Sequence, residues 1–277
     1  MVMLKNNISF GQYYQTKSFV HSMDSRVKIL LLIAYFVTVF LVKNFWGFLA
    51  VGVFLACAIL FSKVPILSIL KSVRTIIFLV MFTVVLNLFF YGGEYNTVYF
   101  QLGNVITITD ASVNFSAFMA LRLITLVMGS SVLTLTTTPV ELTDGIESLL
   151  FPLKLIKFPV HELALIMSIA LRFIPTLAEE TDRIICAQKA RGGDFESGNI
   201  FKRAKAMIPI LIPLLVSSFR RAEELGDAMD ARCYSGSKGR TRYKKMKITY
   251  RDFIGAVLCA GLIVGVVYLN SLFVGVL

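Results

Sequence analysis

Residues 75–93 read TIIFLVMFTVVLNLFFYGG, nineteen positions without a charge. A run of ~17–25 apolar residues is what the ~30 Å hydrocarbon core of a bilayer requires. The C-terminal segment 253–277 is likewise uncharged. The whole chain shares this bias. Of its 277 residues 56% are apolar and 16% charged, with a mean hydropathy of +0.74. Soluble domains run at ~45–50% apolar and ~25% charged. An integral membrane protein is therefore predicted, and an ordinary soluble domain is excluded.

Hydropathy marks five candidate spans, at residues 29–42, 45–61, 75–93, 117–136 and 253–276. Lys28 and Lys43 flank the first, and their stems are expected to snorkel and lengthen it. Arg122 interrupts the fourth, with either an outward snorkel or a contact to Asn87 or Thr125 in prospect. Gly261 and Gly265 in the last span suggest a helix-packing seam. Loop charges orient these spans. Residues 91–116 contain Glu94 and Asp110 but no Lys or Arg, which predicts an extracytoplasmic loop, and alternation at 104–109 suggests a hairpin arm there. The N-terminus (Lys5, Lys17, Arg26, Lys28), residues 63–74 and the seven basic residues of 238–251 belong on the cytoplasmic side. The expected organisation is a four-span region at 1–136, a cytoplasmic region at 137–250 and a transmembrane helix at 251–277. The first 25 residues lack an apolar stretch, so no cleavable signal is expected.

The net charge of +11 lies largely beside apolar spans, which makes nucleic acid a poor partner and the bilayer a good one. Cys57, Cys186, Cys233 and Cys259 form no CxxC pair and are expected to be small packing residues. His21 and His161 stand apart without a ligand cluster, so no metal is expected. No GxxxxGK[ST] or GxGxxG motif occurs, and Asp227, Asp230 and Arg232 lack the glycine and downstream aspartates of lipid-headgroup transferases. No catalytic residue is assigned.

The region 137–250 is unusual. Pro139, Glu141 and Asp144 open a short amphipathic helix to about residue 150. A long helix is expected over 160–191, bent at Pro175 and stopped by Gly192-Gly193, and a second over 199–232, bent by Pro209 and Pro213. Residues 206–219 are apolar nearly all round, whereas 220–230 alternate in charge. Such a rod leaves a membrane surface and lacks a partner for its apolar half. Ala222 with Gly226, and Cys186 with Ala190, offer small surfaces for a close crossing. Each long helix ends in Ala-Arg, at Ala190-Arg191-Gly192 and Ala231-Arg232-Cys233. A slim tip bearing a planar five-donor fork suits a groove lined with carboxylates or carbonyls.

These features resemble the transmembrane T component of energy-coupling factor transporters. Ala190-Arg191-Gly192 meets the family's first signature in full. Ala231-Arg232 meets the second, with Cys233 where glycine is usual, so a different cap is expected there. His21-Ser22-Met23-Asp24-Ser25-Arg26-Val27-Lys28 resembles the family's H-x-L-D-P-R-x-K motif, with Ser25 in the proline position. The resemblance implies an all-α fold of about five transmembrane helices plus two long crossed cytoplasmic coupling helices, in a bacterial or archaeal cell membrane. It implies a non-catalytic scaffold with no cofactor of its own, ATP being bound by partners. The two tips would dock into two cytoplasmic ABC-type ATPase subunits. Ile208, Leu211, Ile212, Leu215 and Phe219 would receive a small membrane S component that binds a vitamin or other micronutrient. The alternatives are a self-sufficient permease or channel, which needs facing polar groups at mid-span, and a membrane enzyme.

Overall fold

A computed structural model describes residues 13–90, 98–102, 106–152, 158–193, 195, 199–236 and 249–273. Among these residues eight helices and one hairpin follow in order: α1 (Ser25–Leu41), α2 (Phe45–Ser62), α3 (Ile66–Phe90), β1 (Val98–Leu102), β2 (Ile106–Thr109), α4 (Asp110–Thr136), α5 (Pro139–Leu149), α6 (Val160–Ala190), α7 (Ile200–Ala231) and α8 (Tyr250–Leu272). The chain divides into two compact units. Residues 149–245, which carry α6 and α7, form one; residues 11–148 and 246–277, which carry α1 to α5 and α8, form the other.

Local chemistry sets the boundaries of the second unit's helices. Asp24 caps α1 by accepting the Arg26 amide at 3.0 Å, and Asn44 caps α2 by accepting that of Gly47 at 2.9 Å. Thr109 and Ser112 cap α4 reciprocally. This box has Ser in place of the usual Glu or Gln, and it starts α4 seven residues before the expected span. The supposed outer loop therefore ends at the hairpin. The hairpin arm itself is present, with β1 antiparallel to β2 and Phe100 opposite Ile108. Similarly, the basic stretch at Lys71 and Arg74 is the start of α3 and not a loop.

The core of this unit lies where α1, α2, α4 and α8 meet, around Tyr35, Val39, Val51, Leu55, Phe118 and Val266. A ladder of polar contacts joins α1 to α4. Lys28 Nζ donates to Thr136 O at 3.0 Å, Tyr35 Oη to Thr125 O at 2.9 Å, and Arg122 Nη2 to Val42 O at 3.0 Å. The order reverses along the partner, so the two helices are antiparallel. Lys28 is thus buried and does not snorkel. Arg122 neither snorkels nor meets Asn87. It satisfies the carbonyl at the α1 C-cap and lies 5.0 Å from the Phe118 ring. Of the cysteines, only Cys259 is buried; the other three are exposed. A Cβ on Gly261 or Gly265 would meet nothing within 4 Å, so neither makes a packing seam in this chain. Instead, Gly255 is the crowded α8 glycine, its Cβ position lying 2.6 Å from Met23 Cε.

Among the described residues five helices are long and apolar enough to cross a membrane: α2, α3, α4, α6 and α8. Four of the five expected spans fall on α2, α3, α4 and α8. The first falls on α1, whose 17 residues, one fewer than α2, rise about 25 Å and lie at the short end of the ~17–25 residues a span takes. In addition, α6, assigned from sequence to the 137–250 region, carries a span-like stretch. The protein is a multi-pass, predominantly α-helical membrane protein.

Tyr35 reaches Thr125 only because Gly129 has no side chain. A Cβ there would lie 2.3 Å from the Tyr35 ring. Gly129→Ala should destabilise the bundle by about 1–3 kcal/mol through overpacking. Gly52→Ala, which meets nothing within 4 Å, should not. Melting of the two variants in detergent against the parent checks the contrast.

Candidate functional site

The first unit is built on two long helices, α6 and α7, each ending in Ala-Arg. The two ends are capped alike. At the first, the Gly193 amide donates to Gln188 O at 2.9 Å and the Gly192 amide to Lys189 O at 3.0 Å. At the second, the Tyr234 amide donates to Met229 O at 3.1 Å and the Cys233 amide to Asp230 O at 2.8 Å. Both are Schellman motifs, which place one residue in the left-handed region and satisfy the last carbonyls of the helix. That residue is Gly192 at φ +85° in one and Cys233 at φ +57° in the other. The expected difference in capping does not exist, because Cys233 adopts the glycine conformation. Ala190, Arg191, Gly192, Ala231, Arg232 and Cys233 are all exposed.

Between the tips the helices touch at polar points. Arg221 Nη2 donates to Glu180 Oε2 at 2.9 Å, and Gln188 Nε2 donates to Pro209 O at 3.3 Å. From Glu180 to Gln188 the partner moves back from Arg221 to Pro209, so the helices run antiparallel through this contact. The second bond has a covalent origin. In an α-helix the carbonyl of residue 209 accepts from the amide of residue 213, but Pro213 has no N–H. Gln188 supplies the missing donor from the neighbouring helix. The close crossing expected from Ala222, Gly226, Cys186 and Ala190 is not formed. All four are exposed, and a Cβ on Gly226 would meet nothing within 4 Å.

Ile208, Leu211, Ile212, Leu215 and Phe219 are between 47% and 64% exposed and fall on one helical stripe. Ile210, by contrast, is 7% exposed. An apolar surface alone says little in a membrane protein, since Phe78 and Phe82 of α3 are exposed in the same way. What distinguishes α7 is that its stripe gives way to a charged half within the same helix, including the Arg220–Glu224 pair at 3.3 Å.

The family-like N-terminal motif is structural. His21 Nε2 lies 2.9 Å from Tyr14 O and Nδ1 2.7 Å from Ser18 Oγ, and burial lowers the pKa of its imidazole. Ser25 occupies the first helical position of α1, where proline is favoured. Asp252 accepts the Asp24 amide at 2.8 Å, tying α8 to this motif. An apolar cavity of about 390 Å³ lies among α1, α2, α4 and α8. Its polar lining groups Lys28, Tyr35 and Thr136 are already bonded to backbone carbonyls. It presents no unengaged cluster of the kind a permease site needs.

The sequence singled out the two tips and the apolar stripe as candidates but not the Glu180–Arg221 pair. A signal was present: each of these residues stands eleven positions before an Ala-Arg arginine.

Residues 16–243 match the family CbiQ, described as cobalt transport protein. The chain is 50% identical to the energy-coupling factor transporter transmembrane protein EcfT of Clostridium kluyveri, over 97% of this chain and 98% of that one. It is 50% identical to the EcfT of Brevibacillus brevis, over 93% and 96% of the two chains. The EcfT of Bacillus subtilis is 43% identical, over 90% and 93%.

The shared cap makes a prediction. A non-glycine residue in the left-handed region costs about 1–2 kcal/mol. Glycine in turn enlarges the unfolded ensemble by about 0.4–1 kcal/mol. Cys233→Gly should therefore protect the α7 tip by up to about 1 kcal/mol, and Gly192→Ala should loosen the α6 tip. Amide hydrogen exchange at residues 229–234 and 188–193 measures each locally.

Proposed function

The chain belongs to the CbiQ family, among the transmembrane T components of energy-coupling factor transporters, and we propose that it is the scaffold through which partner ATPases drive uptake. The tips Ala190-Arg191-Gly192 and Ala231-Arg232-Cys233 dock into two cytoplasmic ABC-type ATPase subunits. The stripe Ile208, Leu211, Ile212, Leu215 and Phe219 receives a small membrane S component carrying a vitamin or other micronutrient. ATP acts on the partners. This chain binds no nucleotide and catalyses no step, but converts closure of the ATPase pair into movement of the S component. The observation that carries the reading is the pair of exposed Ala-Arg ends, closed by the same two hydrogen bonds although one lacks glycine. Schellman ends are common by themselves; what the two helices share beyond the cap is Ala-Arg at the same offset before it, with Cys233 held in the left-handed conformation that Gly192 takes.

Charge supports the topology of this reading. The N-terminus and the basic run before α8 lie on the cytoplasmic side, and the hairpin lies outside. In intact cells a membrane-impermeant thiol reagent should label Asn114→Cys in α4 and leave the exposed native Cys233 unlabelled until the cells are opened. The reverse pattern would invert the protein and remove both tips from the ATPases.

Arginine is favoured in docking sites because one planar fork satisfies several acceptors in a desolvated pocket. Removing one partner of a buried charged hydrogen bond costs ~2–5 kcal/mol, roughly 30- to several-thousand-fold in affinity. Arg191→Ala and Arg232→Ala should each weaken ATPase recovery or uncouple hydrolysis from uptake, with the double variant worst and Lys a poor replacement. Leu211→Glu should abolish S-component capture while leaving the ATPases bound, since an unpaired buried carboxylate costs several kcal/mol. Co-purification and ATP-driven uptake read out all of these variants. Parental assembly and transport in both single arginine variants and the double would end the docking assignment.

A further inference from the structure

The Glu180–Arg221 pair joins equivalent positions of a repeat. The two residues are 41 apart, which is also the separation of Arg191 and Arg232. When two like segments run antiparallel, residues at equivalent positions meet only on or near the two-fold axis that relates the segments. The ion pair therefore marks a local two-fold of the α6–α7 pair. Each tip arginine lies eleven residues beyond it, about 16 Å along its own helix and in the opposite sense. The tips are then held up to about 33 Å apart, less by whatever angle the helices cross. The two carboxylate neighbours on α6 behave differently: Glu179 pairs within its own helix with Arg183 at 3.9 Å and is 70% exposed, whereas Glu180 is 28% exposed and bonds across to α7.

We propose that Glu180 and Arg221 are the positioning residues of the tip pair: their ion pair sits at the local two-fold and fixes the span between Arg191 and Arg232, so that the partner it fits is a body presenting two like sockets about a matching two-fold axis. The inference rests on the docking reading above for its partner, but its geometry does not. The Arg221 Nη2–Glu180 Oε2 bond at 2.9 Å ties the two rods together at one point. Movement of a partner pair about its own axis is thereby delivered to both tips at once. The second contact, Gln188 to Pro209 O, braces only the α6 side and has no counterpart at the equivalent positions among the contacts of the described residues.

The test uses the full chain and its assembled transporter. Spin labels on the native exposed Cys186 and Cys233, with Cys57→Ser, report the distance between the two ends in the chain alone. Unlabelled protein reports uptake per ATP hydrolysed in the complex. Glu180→Gln and Arg221→Gln should each broaden the distance distribution and lower uptake per ATP roughly two- to fivefold, the fold-change of a part-exposed ion pair. The exchanged pair Glu180→Arg with Arg221→Glu should restore both, which a variant that simply fails to fold cannot do. Glu179→Gln should change neither. Parental distances and coupling in the single variants, or an exchanged pair as impaired as they are, would overturn the proposal. Distances that broaden and recover as expected, in a protein whose ATPase recovery is indifferent to Arg191→Ala and Arg232→Ala, would uphold the pivot and defeat the docking reading instead.

Discussion

Every backbone carbonyl at a helix end needs a donor, and inside a bilayer water cannot supply one. This chain meets that constraint with side chains from neighbouring helices. Lys28 serves Thr136 O at the end of α4, and Arg122 serves Val42 O at the end of α1. Asn270 Nδ2 serves Leu41 O at 2.7 Å, while Asn44 Nδ2 serves Leu269 O at 3.1 Å. Each bond fixes which helix lies beside which. At Thr136 O, Val42 O and Leu41 O it also gives the carbonyl a donor, whereas Leu269 O already accepts the Phe273 amide at 3.1 Å. A lipid-facing helix gains little from apolar contact alone, because lipid tails are as apolar as leucine. The polar bonds thus set the register of α1 against α4 and α8, and the apolar core around Phe118 and Val266 fills in behind them.

The same rule operates in the unit that holds α6 and α7, where proline creates the vacancy. Pro213 deprives Pro209 O of its donor, and Gln188 of α6 fills the place. A break in one helix becomes a handle for the other. Together with Glu180–Arg221 it gives two long, mostly exposed rods a defined antiparallel contact without a large apolar interface. That economy leaves the stripe from Ile208 to Phe219 and both Ala-Arg ends uncovered.

The two ends also show how a sequence departure can preserve a structure. Cys233 breaks the Ala-Arg-Gly pattern, yet the Schellman bonds form and the residue takes the left-handed conformation. The end of α7 is conformationally loaded where that of α6 is relaxed, because only glycine lacks the Cβ that makes this region unfavourable. The two tips are thus alike in shape and unequal in the energy needed to keep it.

Much of this was legible in the sequence. Uncharged runs long enough for a bilayer revealed the class, because burying charge in hydrocarbon is prohibitive. The glycine and proline punctuation bounded α5, α6 and α7 to within a residue or two, since those residues act through their own backbone. The Ala-Arg repeat was visible because a tip needs no partner within the chain to be recognised. Contacts between segments distant in sequence were not legible. Lys28 read as a snorkelling flank, yet it is buried, because the acceptor that holds it is 108 residues away. Arg122 read either as an outward snorkel or as a polar contact inside the bundle; the structure shows the contact, but to Val42 O at the end of α1, a partner the sequence did not name. Gly261 and Gly265 read as a seam, whereas Gly129 and Gly255 take the close approaches. α6 read as part of the 137–250 region, yet it carries a stretch long and apolar enough to cross a membrane. Periodicity, composition and caps belong to single segments, so the sequence determined which helices exist and what kind of solvent they face. Which side chain reaches which carbonyl, and which glycine a neighbour crowds, depends on the relative placement of segments, and only the tertiary structure decided that.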